Sequence, residues 1–269
     1  MNVTSLTGFL SENEALSMLN SNFTNPVKRT GAKLLVEPAK GKGVDFGAVG
    51  TAYDYWLRCV LKKGDPDIYT AFLGYRECVT RYGDSQKVAK LLKQHTKSLS
   101  AFSKGTKAPK DSLLEACLFI AKFETEYRSG YPVETFDVKP QNIEELGRIA
   151  EATKLDLFLN KETLLNPVFA VKGSKLAIRA DGDIVLDDVL VDLKTSSQIT
   201  LKDNLRQLIG YWVLNLLRGT PIEIQRLGVY YPRFDYFVDF SPSDLMTSDE
   251  QKKIVSYFQK RLGKNIGAY

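Results

Sequence analysis

A chain of 269 residues is long enough to bury a substantial core, as one large domain or two small ones. Hydrophobic residues make up 43% and charged residues 26%, an ordinary globular balance. No apolar run approaches the roughly 18 residues that a membrane-spanning helix needs. The net charge of +5 hints at a polyanionic partner. His95 is the single histidine, which excludes most His-rich zinc chemistry and argues against a Ser-His-Asp site. Cys59, Cys78 and Cys117 are odd in number and widely spaced, so no disulfide framework or paired-cysteine metal knot is expected. The first residues carry no basic-then-apolar signal pattern, and a reducing, cytoplasmic setting is the expectation.

In chain order, Ser11-Glu12-Asn13-Glu14 reads as a capping box that opens a helix through about Asn20. Residues 21 to 49 are mixed. They hold Pro26, Pro38 and the start of a glycine-rich stretch, and predict loop with a short strand at Lys33 to Val36. Helical spacing of apolar residues begins at Gly50, and a second helix is predicted from Ile68 to Tyr82. Residues 85 to 110 contain no acid. There Lys87, Lys90, Lys93 and Lys97 fall in one arc of about 120°, opposite Val88, Leu91, Leu92 and Leu99. This face reads either as a solvated basic face or as a phosphate-contacting one, and the lack of interleaved acids points to phosphate. His95 sits among the apolar positions and reads as a core residue. Ser112 to Tyr127 predicts a helix stopped at Ser129-Gly130-Tyr131-Pro132, and Asn142 to Thr153 another.

The pattern then changes. Leu164 to Val171, Leu176 to Leu186 and Val189 to Leu193 read as three strands of a meander, with turns at Lys172-Gly173-Ser174 and Asp187-Asp188. A helix from Leu201 to Leu217 follows, stopped by Gly219-Thr220-Pro221. Strands are predicted at Ile222 to Tyr231 and Tyr236 to Phe240. Ser248-Asp249-Glu250-Gln251 caps a last helix to about Leu262. The expected organisation is one domain over residues 1–269. It comprises a helical elaboration at 50–160, an α/β core at 161–240 and a C-terminal helix at 241–269.

The chemistry concentrates between Leu176 and Asn215. Residues two apart on a strand share a face, so Asp181 and Asp183 would point one way. Asp192 and Lys194 share a face for the same reason, with Val191 and Leu193 turned to the other side. A hairpin would place these aspartates beside Asp192 and Lys194. Crowded carboxylates disfavour ionisation unless a cation neutralises them. A hard divalent cation, held by carboxylates and a backbone carbonyl such as that of Leu193, would do so. Lysine then supplies a point charge to a phosphate or positions a water.

The spacing of Asp183 (or Asp181) to Asp192-Leu193-Lys194 resembles the PD-(D/E)xK nuclease superfamily. Gln207-Leu208-Ile209-Gly210-Tyr211 on the next helix resembles the Q-x-x-x-Y motif of its RecB-like members, and i, i+4 spacing puts Gln207 and Tyr211 on one face. The resemblance covers about residues 165 to 232. It implies an α/β fold with a restriction-endonuclease-like mixed sheet flanked by helices, and a Mg²⁺- or Mn²⁺-dependent, exonuclease-like hydrolysis of DNA. In that scheme Asp183, Asp192, Lys194, Gln207 and Tyr211 act in catalysis. Asp181, Asp183, Asp192 and the Leu193 carbonyl hold metal. Lys87, Lys90, Lys93 and Lys97 contact DNA. RecB-like members also use an upstream helical ligand, often a histidine in G-x-x-x-H. Gly50-Thr51-Ala52-Tyr53-Asp54 puts Asp54 there, and Glu124 is the other candidate, with Glu126 and Glu115 behind it. Three scattered cysteines exclude the iron–sulfur cluster of the CRISPR-associated branch. Rival readings are a non-cutting nucleic-acid-binding module of the same fold and a structural protein whose acids form a solvated turn. Oligomeric state is not legible in the sequence.

Overall fold

The structure, a computed structural model, describes residues 2–23, 31–40, 43–61, 68–82, 86–105, 110–130, 136–159 and 161–269. Pro26, residues 41–42, residues 85 and 106–109 of the acid-free stretch, Tyr131 and Pro132 lie outside them, as does the Lys87 side chain. The protein is mixed α/β, with helices packed on two mixed sheets.

The first residues form a strand, β1 (Asn2–Ser5), and two short helices, α1 (Leu6–Ser11) and α2 (Asn13–Asn22). The expected capping box at Ser11 is not made. Ser11 instead ends α1, where its hydroxyl donates to the Gly8 carbonyl, and Ser5 is the residue that caps α1. Lys33 to Val36 forms no strand; Leu35 and Val36 instead donate to the carbonyl of Arg233.

Five helices follow: α3 (Phe46–Leu61), α4 (Tyr69–Tyr82), α5 (Gln86–Ser103), α6 (Lys110–Ser129) and α7 (Pro140–Ala152). α6 is the axis of this half and packs against the other four. Its run LLEACLFIAKF is apolar around most of its circumference, as a helix enclosed by neighbours must be. Leu114, Ala116, Cys117, Ile120, Ala121 and Phe123 are all buried. His95 of α5 is buried against Phe119 of α6, ring centroids 4.4 Å apart, as a core residue should be.

The larger sheet has the order β2-β5-β6-β7-β8, built from β2 (Thr163–Leu165), β5 (Ile184–Leu186), β6 (Val189–Leu193), β7 (Arg226–Tyr231) and β8 (Tyr236–Phe240). β6 and β7 are parallel, joined by the crossover helix α8 (Leu201–Leu217), and the other neighbours are antiparallel. Strand alternation sends Ile184, Leu186, Val189 and Val191 into the helical half. Val185, Leu190, Leu227 and Val229 go the other way, toward α1, α2, α8 and the last long helix, α10 (Ser248–Leu262). Burial on both faces explains why these strands read as continuous apolar runs.

The second sheet was not anticipated. It orders β1, β4 (Leu176–Arg179), β3 (Val171–Lys172) and β9 (Gly267–Ala268). The predicted strand Leu176 to Leu186 is therefore two strands in different sheets, with the chain crossing between them at residues 180–183. Leu164 to Val171 divides in the same way, into β2 and β3. The physical reason lies in Gly182. A Cβ there would sit 2.8 Å from the Phe169 ring and 3.2 Å from Pro167, so any other residue would have to push those side chains aside for the chain to turn beneath them. Smaller differences concern boundaries. α3 starts four residues before Gly50, β7 starts at Arg226 rather than Ile222, and the cap of α10 is Thr247 with Glu250. A short helix, α9 (Pro242–Leu245), precedes α10.

Candidate active site

The β5–β6 hairpin sets the register of the site. Ile184 pairs with Val191, so the next residues outward, Asp183 and Asp192, stand opposite each other. Both point away from the helical core that takes Ile184 and Val191. Asp183 lies just before β5 rather than on a strand shared with Asp181. Its Oδ2 accepts from the Leu193 backbone N–H at 2.7 Å, which continues the ladder through a side chain. Asp181 sits at the crossing between the sheets, bridged to Val168 and exposed.

Asp192 is buried. Lys194 Nζ lies 2.9 Å from both of its oxygens but is hydrogen-bonded only to Oδ1; Oδ2 is buried with no hydrogen bond. Burial, then Asp183 acting against the pull of Lys194, pushes the Asp192 carboxyl up to about 7. Burial opposes the charge of Lys194, but Asp192 and Asp183 outweigh it and hold the ammonium above its ordinary value. From Lys194 the contacts continue onto α8. Nζ donates to Gln207 Oε1 at 3.4 Å, and Gln207 Nε2 donates to Tyr211 Oη at 2.9 Å. One turn of helix separates Gln207 from Tyr211, which is why the i, i+4 spacing forms a single relay. Burial, together with Asp183 and Asp192, raises the Tyr211 phenol well above its ordinary value.

α3 brings Asp54 to the same place. Gly50, one turn earlier, lets the helix approach the end of β6: a Cβ there would lie 3.0 Å from Thr195 Oγ1. Asp54 is ion-paired with Arg58, whose Nε donates at 3.0 Å. Burial is the largest influence on Asp54. With the nearby charges of Asp183 and Glu124, it overcomes Arg58 and lifts the carboxyl to about 6. Glu124 of α6 is buried; it accepts from Tyr55 Oη at 2.5 Å and from Arg128 Nε at 2.6 Å. Asp181 feels the charges of Arg128, Glu124, Arg58 and Arg179. Partial desolvation and Glu124 leave its carboxyl above the ordinary range although its side chain reaches the surface.

Asp54, Glu124, Asp181, Asp183, Asp192, Lys194, Gln207 and Tyr211 therefore share one electrostatic neighbourhood. Other predicted residues do not join it. Glu126 is buried but pairs with Arg81 at 3.4 Å, and Glu115 acts on His95. Lys90, Lys93 and Lys97 are exposed along α5, and among the described residues no contact ties them to the acids. Two residues went unnoticed in the sequence: Arg58 and Arg128. The two arginines stand four residues after Asp54 and Glu124, the spacing of helical ion pairs, and that signal was available. Arg233 was missed as well. It is fully buried, donates to the Thr195 carbonyl at 2.5 Å and pairs with Glu145 of α7, so it anchors the chain just after Lys194.

The carboxyls of Asp54, Asp181 and Asp192, raised first by burial, and a buried Asp192 Oδ2 that accepts no hydrogen bond are donor chemistry that a hard divalent cation satisfies. Among the described residues, no three acids stand ready as a formed cage. Arg58, Arg128 and the Leu193 N–H engage Asp54, Glu124 and Asp183 respectively. No helix among the described residues is long and apolar enough to cross a membrane. Compared with protein-family models and with curated proteins, the chain shows no significant match.

Proposed function

We propose that the chain is a divalent-metal-dependent nuclease that hydrolyses phosphodiester bonds of DNA, with an exonuclease-like, RecB-like PD-(D/E)xK site on a restriction-endonuclease-like core. The observation that carries this reading is the pairing of Asp183 with Asp192 across the β5–β6 hairpin, continued through Lys194 to Gln207 and Tyr211. No isolated Asp-x-Lys tripeptide demands that relay. Asp183, Asp192 and the Leu193 carbonyl would hold Mg²⁺ or Mn²⁺, with Asp181 and either Asp54 or Glu124 in support. Bound there, the cation supplies positive charge for the phosphate oxygens and lowers the pKa of water.

The remaining work falls to the chain itself. Lys194, fixed between Asp192 and Gln207, orients the attacking water and meets the growing charge on phosphate. Water adds to phosphorus and gives up one proton to solvent, the ester P–O bond breaks, and the leaving oxygen takes up one proton from solvent in turn. Gln207 and Tyr211 keep the lysine from swinging away. A cytoplasmic setting belongs to the same proposal.

The second reading is a nucleic-acid-binding module that does not cut. It is favoured by the arginines and the backbone N–H that already engage Asp54, Glu124 and Asp183. A labelled DNA strand incubated with Mg²⁺ or Mn²⁺ separates the two. Cleavage that is lost in Lys194→Ala and Asp192→Ala supports the nuclease. Equal cleavage by all three proteins removes it, and a mobility shift without cleavage transfers the assignment to the binding module.

A further inference from the structure

The second sheet presents one face to solvent, and strand alternation decides what stands on it. β3 and β4 are antiparallel, with Lys172 opposite Ala177. Arg179, two residues after Ala177, therefore shares the face of Lys172. β9 pairs Gly267 with Lys172, and Tyr269, two residues further, donates its backbone N–H to the Ala170 carbonyl. Tyr269 is thus on this face as well. The opposite face, with Val171 and Ile178, is buried in the core.

Lys172 and Arg179 are exposed, and Tyr269 is 46% exposed. Lys172 Nζ lies over the Tyr269 ring, 5.5 Å from its centre, and Arg179 Cζ 5.9 Å from it, so two cations gather about one half-exposed ring. The face also leads somewhere. Arg179 ends β4, and two residues later, about 7 Å along the chain, comes Asp181 at the rim of the acidic cluster. Arg128, with a half-exposed side chain, is paired with Glu124 and its charge acts on Asp181.

We infer that the Lys172–Arg179–Tyr269 face, continued by Arg128, is the track on which a single strand of nucleic acid approaches the acidic site, with phosphates on the cations and a base on the Tyr269 ring. This rests on the nucleic-acid reading of the site and assigns the strand to this sheet rather than to the lysine face of α5. A flat ring with cations gathered about it suits a nucleobase, since every base has a π-face and stacking is indifferent to sequence. An anionic peptide would use the cations but leave the ring without a role.

The test is fluorescence anisotropy of a labelled oligothymidine strand, titrated with the full chain in EDTA so that nothing is cut, over a range of salt. Lys172→Ala and Arg179→Ala are each expected to flatten the log–log salt dependence by about 0.7, one phosphate contact apiece. Tyr269→Ala is expected to weaken binding on the order of tenfold. Lys252→Ala, an exposed lysine on α10, is the charge-matched control, and thermal denaturation confirms that each variant is folded. Parent-like affinity and salt slope in all three sheet variants overturns the inference. So does parent-like behaviour in Tyr269→Ala together with equal competition by polyglutamate, which would transfer the face to an acidic peptide. The two proposals fail separately. Sheet-dependent binding by a parent protein that never cuts leaves the track and removes the nuclease, whereas cleavage that ignores the sheet does the reverse.

Discussion

Replacing Lys194 with methionine tests the site through stability as well as activity. The ammonium is 2.9 Å from both oxygens of Asp192, a carboxylate with a side chain only 5% exposed. At an effective dielectric of about 20 the gross attraction is about 6 kcal/mol. Desolvation offsets much of it, but removing one partner strands the other, which typically costs about 3–5 kcal/mol. Lys194 is 27% exposed, so water replaces part of the lost contact, and about 2–4 kcal/mol is the expected loss.

Asp192→Asn/Lys194→Met removes both charges. It should recover about 2 kcal/mol relative to the sum of the single changes. In EDTA the loss should also depend on pH. The folded Asp192 carboxyl is raised from 3.8 to about 7, so the native state binds the extra proton and ionisation erodes stability as pH rises across that window. Without Lys194 the carboxyl rises further, so the deficit of Lys194→Met widens as pH climbs and closes once Asp192 is protonated in both states. Urea denaturation at several pH values reads this directly, and DNA cleavage should fall by at least about 10²-fold in all three variants. A deficit under about 1 kcal/mol, constant with pH, would refute the buried pair. Cleavage restored in the double variant would refute the catalytic lysine.

Other consequences follow from the same geometry. Asp54→Ala removes the carboxylate that Arg58, with a side chain 6% exposed, is ion-paired with, and should cost about 1–3 kcal/mol. Glu124→Gln leaves a half-exposed Arg128 that water can serve, so its measured unfolding free energy should change less. Gly182→Ala forces a methyl against Phe169, Pro167 and Leu190; about 1–3 kcal/mol of stability should be lost, and cleavage should fall further because Asp183 is displaced with it. His95, the only histidine, has its pKa lowered by burial despite Glu115. Its ring proton in NMR should titrate below 6.5, and stability should drop as pH falls through the unfolded value near that point, since the unfolded chain takes the proton more readily. A titration at or above 6.5 would show that the ring is not held against Phe119.

Much of the site was legible because it depends on short periodicities. The alternation Asp192-Leu193-Lys194 puts acid and lysine on one face of any strand, and Gln207 and Tyr211 share a face of any helix. The α8 and β8 boundaries were equally readable, since apolar spacing and Gly219 mark them locally. Asp54 and Glu124 are different. Each is an acid on a helix, like Glu115 and Glu126, and the local marks that set these two apart, Gly50 before Asp54 and an arginine four residues after each, do not by themselves say where the helices go. Only the packing of α3 on α6, with Gly50 of α3 against Thr195 just after β6, brings two of them to the aspartates and leaves the others elsewhere. The split of Leu176 to Leu186 between two sheets was hidden for the same reason. Arg179, Asp181 and Asp183 alternate with apolar or small residues, a pattern consistent with one long strand, and at the break Phe169 and Pro167 close over Gly182. Local spacing by itself determined which side chains travel together. Tertiary structure decided which of these groups meet, because burial and the partners supplied by distant elements select among faces that the chain alone leaves equivalent.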